Sequence, residues 1–257
     1  MGKNLRFIFL GIQTVITLLL SIAIIHAMVS SLQLQQGIWS TAQSHLLPSL
    51  IHLWVTVIAA LLLCFFYRAN IGAEALVLPL LLLTISLGNV KILPAYQTLT
   101  QIFIIRARTI SVIYHFSLLF SSFLFLASGI FQQTINPTKL WQYSFFGAAS
   151  ALMLSILVPV SVNSPSYLWE AKVTNSLFLG ICVLINVLAV ATFLIAMFEE
   201  HFSRQNFSRC LAFILMIIGN AMVTISQNTL YNFLGLLLYV AGTITLILVT
   251  RTYHIWT

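Results

Sequence analysis

Long apolar runs alternate with short polar connections along the whole chain. The runs cover residues 7–29, 47–67, 73–89, 109–131, 141–160, 173–198, 210–226 and 230–250. A helix needs roughly 20 apolar residues to cross a hydrocarbon core, and most of these runs are that long. The pattern predicts an all-α fold, a polytopic helical membrane protein with about eight transmembrane helices. The last two runs are joined by only three residues, 227–229, which predicts an antiparallel helical hairpin.

The third run, 73–89, is short for a span, and it contains Pro79. If this run were a re-entrant hairpin, the protein would have seven spans. We favour eight, because backbone that enters hydrocarbon without crossing it must be buried in protein or line a cavity, whereas a helix satisfies its own amides. The connection 30–45 before the second run is predicted to be a polar loop, with Pro48 in the first turn of the next helix.

The lysines and arginines predict the orientation of the spans. Eight spans place both termini in the cytoplasm, together with Lys3, Arg6, Arg68, Lys139, Arg204, Arg209 and Arg251. On the outside are Lys91, Arg106, Arg108 and Lys172. The re-entrant alternative also gives seven charges to four, so charge alone does not choose between the two topologies. We expect one transmembrane domain over residues 1–257 and no soluble domain.

Composition supports an integral membrane protein. Hydrophobic residues make up 60% of the chain and charged residues 6%, and the mean hydropathy is +1.05. The net charge of +7 comes from residues that flank apolar runs, where they meet lipid headgroups rather than nucleic acid. The expected partners are the bilayer, a small-molecule or anionic-lipid ligand, and other membrane or cytoplasmic subunits.

The scarcity of acidic residues argues against several enzyme classes. The chain has no Asp, which excludes an intramembrane aspartyl protease, and Glu199-Glu200-His201 lacks the second histidine of a zinc metalloprotease helix. Cys64, Cys182 and Cys210 show no paired spacing. We therefore expect no catalysis, metal or haem. All four glutamates are predicted to lie at or beyond helix ends, so no carboxylate is expected to drive transport.

The stretch 89–108 is the candidate ligand site, because charge interrupts the apolar pattern there. Arg106 and Arg108 are about 200° apart on a helix, so one arginine is expected to snorkel to headgroups and the other to face inward. The alternative is that both are solvated at the membrane edge. The predicted ligand-binding residues surround a modest pocket. They are Asn89, Lys91, Arg106, Arg108, Tyr114 and His115.

These observations favour a non-catalytic multi-pass membrane protein that acts as a ligand-sensing or signal-input module. The alternatives are a transporter or its membrane subunit, and a structural or assembly subunit of a membrane complex. No sequence motif separates the three.

Overall fold

A computed structural model describes residues 3–34, 36–66, 74–131, 137–159, 170–171, 173–199, 204–226 and 228–255. All regular secondary structure in these ranges is helical, as predicted. The α-helices are α1 Lys3–Leu34, α2 Gln36–Phe66, α3 Glu74–Gly88, α4 Leu93–Thr100, α5 Ala107–Ile130, α6 Pro137–Leu157, α7 Ser176–Glu199, α8 Arg204–Ile225 and α9 Thr229–Ile255. A short 3₁₀ segment, Asn89–Ile92, joins α3 to α4.

Seven helical stretches in the described residues are long and apolar enough to cross a membrane. They are Arg6–Gln33, Ile38–Cys64, Val77–Thr100, Ala107–Ile130, Ser176–Phe198, Asn206–Ile225 and Thr229–Arg251. The helix outside this set is α6, with 21 residues. The re-entrant alternative also predicted seven spans, but it did so by leaving out the third run. In the structure the third stretch is one of the seven, and α6 is the helix that is left out.

The third span does not turn back on itself. It runs parallel to α1, since Gln13 of α1 meets Ser86 and, further along both segments, His26 meets Tyr96. The re-entrant alternative is thus wrong. Pro94 explains the 3₁₀ segment, because proline has no N–H to give to the Val90 carbonyl four residues earlier and its ring crowds that carbonyl. The N–H of Leu93 bonds to that carbonyl instead, and the chain continues to Thr100.

Contacts between the other helices show that successive helices alternate in direction. The starts of α5 and α7 meet through His115 and Phe178, and near their ends a Cβ at Gly129 would meet Thr192, so these two helices are parallel. Helix α6 runs back along α5, since Phe131 at the end of α5 meets Tyr143 in α6. Asn206, near the start of α8, bonds to the carbonyl of Ala196, near the end of α7. Lys3 and Ile255 therefore lie at the same end of the bundle. We call it the Arg6 end, and the opposite end the Glu170 end.

The predicted hairpin of the last two runs is confirmed by α8 and α9. Glycines let the two backbones approach closely: a Cβ at Gly219 would lie 2.5 Å from the amide nitrogen of Tyr239, and one at Gly242 would lie 2.7 Å from the carbonyl oxygen of Ala212. Small residues at helix contacts are a usual way of packing helices in lipid.

The predicted polar loop at 30–45 is wrong in the described residues. Helix α1 continues to Leu34 and α2 begins at Gln36, so Pro48 lies inside α2. Sparse apolar character had suggested a loop, but the stretch contains no helix-stopping proline before Pro48 and only one glycine. The additional turns at the start of α2 place His45 in the helix, on the same face as His52.

Candidate functional site

A buried lysine occupies the break in the third span. Lys91 lies in the 3₁₀ segment and its side chain is only 1% exposed. Its ammonium donates a hydrogen bond to the carbonyl of Val223, with 2.7 Å between Nζ and O, and lies 3.5 Å from Oε2 of Glu170. The expectation that Lys91 is an external loop charge is therefore wrong.

Glu170 supplies the negative charge of the cluster. Its side chain is 3% exposed, and its other oxygen, Oε1, lies 3.5 Å from Nδ1 of His45, which is 18% exposed. The backbone fixes the same contact, because the N–H of Ala171 donates to the Lys91 carbonyl at 2.8 Å. We call Lys91, Glu170 and His45 the charge cluster. It joins α2, the 3₁₀ segment and the short segment before α7.

The end of α8 completes the surroundings of the cluster. Helix α8 ends at Ile225, so the carbonyls of Val223 and Thr224 have no helical donor four residues on. Lys91 bonds to the first, and the Tyr114 hydroxyl bonds to the second at 2.7 Å. A positive charge at the carboxyl end of a helix is also favoured by the helix dipole.

A network of neutral polar side chains extends from the cluster toward the Arg6 end. Asn89, two residues before Lys91, lies 3.2 Å from His52 Nδ1. The His52 ring meets the Tyr239 ring edge-on with centroids 4.5 Å apart. The Tyr239 hydroxyl lies 3.1 Å from Oγ1 of Thr56, whose carbonyl accepts from Gln13. These contacts connect the 3₁₀ segment with α2, α9 and α1.

Several buried polar atoms, two of them in Gln13 and His52 of this network, have no hydrogen-bond partner among the described residues. Buried polar groups are normally paired with protein or with ordered water. The atoms are Gln13 Oε1, Thr17 Oγ1, Ser21 Oγ, His52 Nε2, Asn220 Oδ1 and Asn232 Oδ1. Gln13 also lines, with Arg6, a cavity of about 20 Å³, which is enough for a water molecule.

The structure divides the six predicted ligand-binding residues into two groups. Asn89, Lys91, Tyr114 and His115 are buried, and the His115 ring packs against Phe178 with centroids 5.0 Å apart. The separate apolar groove of about 650 Å³ between α7, α8 and α9 contains none of the six. Their ligand-binding role stays a prediction.

Arg106 and Arg108 form the second group, at the start of α5. Both are exposed, so the expectation that one arginine faces inward is wrong. The segment before them is also exposed and apolar, with Phe103 84% exposed and flanked by Ile102 and Ile104. Exposed apolar and cationic side chains together are typical of a membrane interface, which agrees with the alternative of arginines at the membrane edge.

Sequence reasoning missed Glu170, His45 and the carbonyls at the end of α8. Glu170 lies outside the helices, as predicted, but it is buried, so a position beyond a helix end did not mean exposure to water. The sequence did contain one signal for this ion pair. Lys91 and Glu170 each lie close to an apolar run, and a charged side chain that is buried there needs a partner of opposite charge.

No family model matches the sequence, and none of the curated proteins matches it. Within the described residues, no three His, Cys, Asp or Glu side chains come together as metal ligands.

Proposed function

We propose that this chain is a ligand-sensing, multi-pass membrane protein, and that an anionic ligand carrying a carboxylate takes the place of Glu170 at Lys91. The supporting observation is the ion pair between Lys91 and Glu170, buried in the break of a membrane span. Ionisable groups inside a membrane bundle are costly and tend to be functional. A carboxylate already occupies the position, so a ligand carboxylate would meet the same donors.

Exchange of the carboxylate would change the contacts between several elements at once. Glu170 holds the segment before α7 to the 3₁₀ segment and to α2, through Lys91 and His45. A ligand that binds Lys91 without being part of the chain would loosen that attachment. The ligand would thereby favour a second arrangement of α7 relative to α2, which is the requirement for a sensor.

Thermal unfolding of the purified protein in the presence of acetate tests the proposal. Saturating acetate should raise the Tm of the wild-type protein by about 5 °C, as expected for a ligand that binds only the folded state. The double variant Lys91→Met/Glu170→Gln removes both charges and should show no acetate effect. Lys139→Met removes an exposed lysine at the Arg6 end and should respond like wild type. An equal acetate shift in the double variant would contradict binding at Lys91.

A transporter is the second candidate, and the interrupted third span favours it. Discontinuous membrane helices with charged groups at the break are typical of substrate sites in secondary transporters. Here the break contains Lys91, and polar side chains continue from it to Gln13. Uptake of labelled acetate into proteoliposomes separates the two candidates: a sensor binds acetate without flux, whereas a transporter carries it and loses the flux in Lys91→Met/Glu170→Gln.

A further inference from the structure

The charge cluster contains one buried positive and one buried negative charge, apart from the titratable His45. Lys91 and Glu170 are 1% and 3% exposed. If a second anion reached Lys91 while Glu170 stayed ionised, two negative charges would share one ammonium in a site of low polarity. Burying an uncompensated charge is strongly unfavourable, and such a site reduces its charge by taking up or losing a proton.

The chain near Glu170 keeps its carboxylate close to the cluster. Ala171, the next residue, donates its N–H to the carbonyl of Lys91, so the backbone holds Glu170 beside the 3₁₀ segment. Glu170 Oε1 is also next to His45. A displaced carboxylate therefore stays among buried groups rather than moving into water.

We propose that an anion which binds at Lys91 brings one proton with it, and that Glu170 accepts this proton. The inference rests on the proposed anion site at Lys91. The proton passes from water to a Glu170 oxygen, so the carboxylate becomes a neutral carboxylic acid and the bound anion takes over its charge. The buried cluster then has the same net charge before and after binding.

Among the described residues, titratable groups face Glu170 from three elements. His45 faces it from α2, Lys91 from the 3₁₀ segment, and Tyr114 of α5 is within electrostatic range. Helix α8 contributes the Val223 and Thr224 carbonyls. His45 is the most exposed member of the cluster, at 18%, and so offers the route by which the proton reaches Glu170. A proton that remained on His45 would leave two more charges in the cluster than a neutral Glu170 would.

Proton uptake fixes the direction of the pH dependence. While Glu170 of the unbound protein is ionised, lower pH supplies the proton that binding requires, so affinity rises as pH falls. One proton per anion gives about a tenfold rise in affinity per pH unit. The rise stops once Glu170 is protonated in the unbound protein as well.

The experiment measures nitrate and acetate affinity between about pH 8 and about pH 5. Nitrate has the planar shape of a carboxylate and does not itself take up a proton in this range, so a proton taken up with nitrate is on the protein. Glu170→Gln imitates the protonated side chain. It should bind nitrate more tightly than wild type at the upper end of the range. When Lys91→Arg is added, whose guanidinium does not lose its proton, the affinity should no longer depend on pH.

Two variants identify the proton acceptor. His45→Gln should keep the pH slope, whatever its effect on affinity, because the proton resides on Glu170. Glu199→Gln removes a carboxylate at the end of α7 and should also keep the slope. If His45→Gln loses the slope, or Glu170→Gln/Lys91→Arg keeps it, the proton is bound elsewhere and the proposal is overturned.

The remaining outcomes separate this proposal from the proposed function. Wild-type binding with a flat pH profile would overturn proton uptake while leaving an anion site at Lys91. Failure of both probes to bind at every pH would overturn the site, and proton uptake with it. If Glu170→Gln does not fold, the number of protons taken up per nitrate by the wild-type protein in weak buffer decides: one supports the proposal and none overturns it.

Discussion

At the scale of single residues, burial distinguishes Lys91 from the other basic residues of its stretch. Lys91, Arg106 and Arg108 all interrupt the apolar pattern, and the sequence could identify that interruption. It could not tell which charge turns inward, because that depends on Pro94 breaking the third span and on Glu170 arriving from a segment nearly 80 residues away. The partner of a buried charge is determined by the tertiary structure.

Arg106 and Arg108 should tolerate loss of their guanidinium geometry. Both are exposed, so Arg106→Lys and Arg108→Lys keep the charge that matters to headgroups and should leave the Tm unchanged within about 1 °C. Thermal unfolding in lipid nanodiscs measures this. A clear drop in Tm for one variant but not for the other would contradict this prediction, because it would reveal that the replaced arginine makes a bidentate contact.

At the scale of elements, periodicity and length predicted nearly every helix, and proline positions determined the errors. Pro48 suggested a helix start and lies inside α2, whereas Pro94 gave no clear signal and interrupts the third span. Proline is compatible with both situations, because the first turn of a helix needs no N–H and neighbouring helices in a bundle can satisfy a freed carbonyl. Sequence alone does not show which neighbours are present.

The contact between α8 and α9 should be sensitive to a single methyl group. A Cβ at Gly219 would lie 2.5 Å from backbone of α9, which cannot move as a side chain can. Gly219→Ala should therefore lower the free energy of unfolding by about 2 kcal/mol. Gly180→Ala is the matched control in α7, because a Cβ there meets nothing within 4 Å. Unfolding of both variants in detergent decides, and equal stability would contradict the close approach.

At the scale of the whole molecule, the helices alternate in direction, and burial of Lys91 strengthens the charge bias. Eight spans were predicted, and seven stretches of the described residues are long and apolar enough to cross a membrane. In the described residues, the Arg6 end has Lys3, Arg6, Lys139, Arg204, Arg209 and Arg251, and the Glu170 end has Arg106 and Arg108. Arg68 and Lys172 lie outside the described residues. Without Lys91, the predicted ratio of seven to four becomes seven to three, and the Arg6 end is the expected cytoplasmic face.

Cysteine labelling in intact cells tests this orientation. Arg108→Cys, exposed at the Glu170 end, should react with a membrane-impermeant maleimide added outside, and Lys139→Cys should react only after the cells are opened. A variant without Cys64, Cys182 and Cys210 provides the background. The reverse labelling pattern would place both described ends of the chain outside.

The proposed site requires Lys91 and Glu170 to form a buried, energetically coupled pair, and a double-mutant cycle tests this coupling most directly. The free energy of unfolding is measured for wild type, Lys91→Met, Glu170→Gln and the double variant. Lys91→Met alone removes the ammonium that faces the buried Glu170 carboxylate and should cost about 3–5 kcal/mol, whereas removal of both charges should cost less than the sum of the single losses by about 2 kcal/mol or more. Additive losses, with a coupling energy below about 0.5 kcal/mol, would show that the two side chains do not depend on each other and would contradict the account.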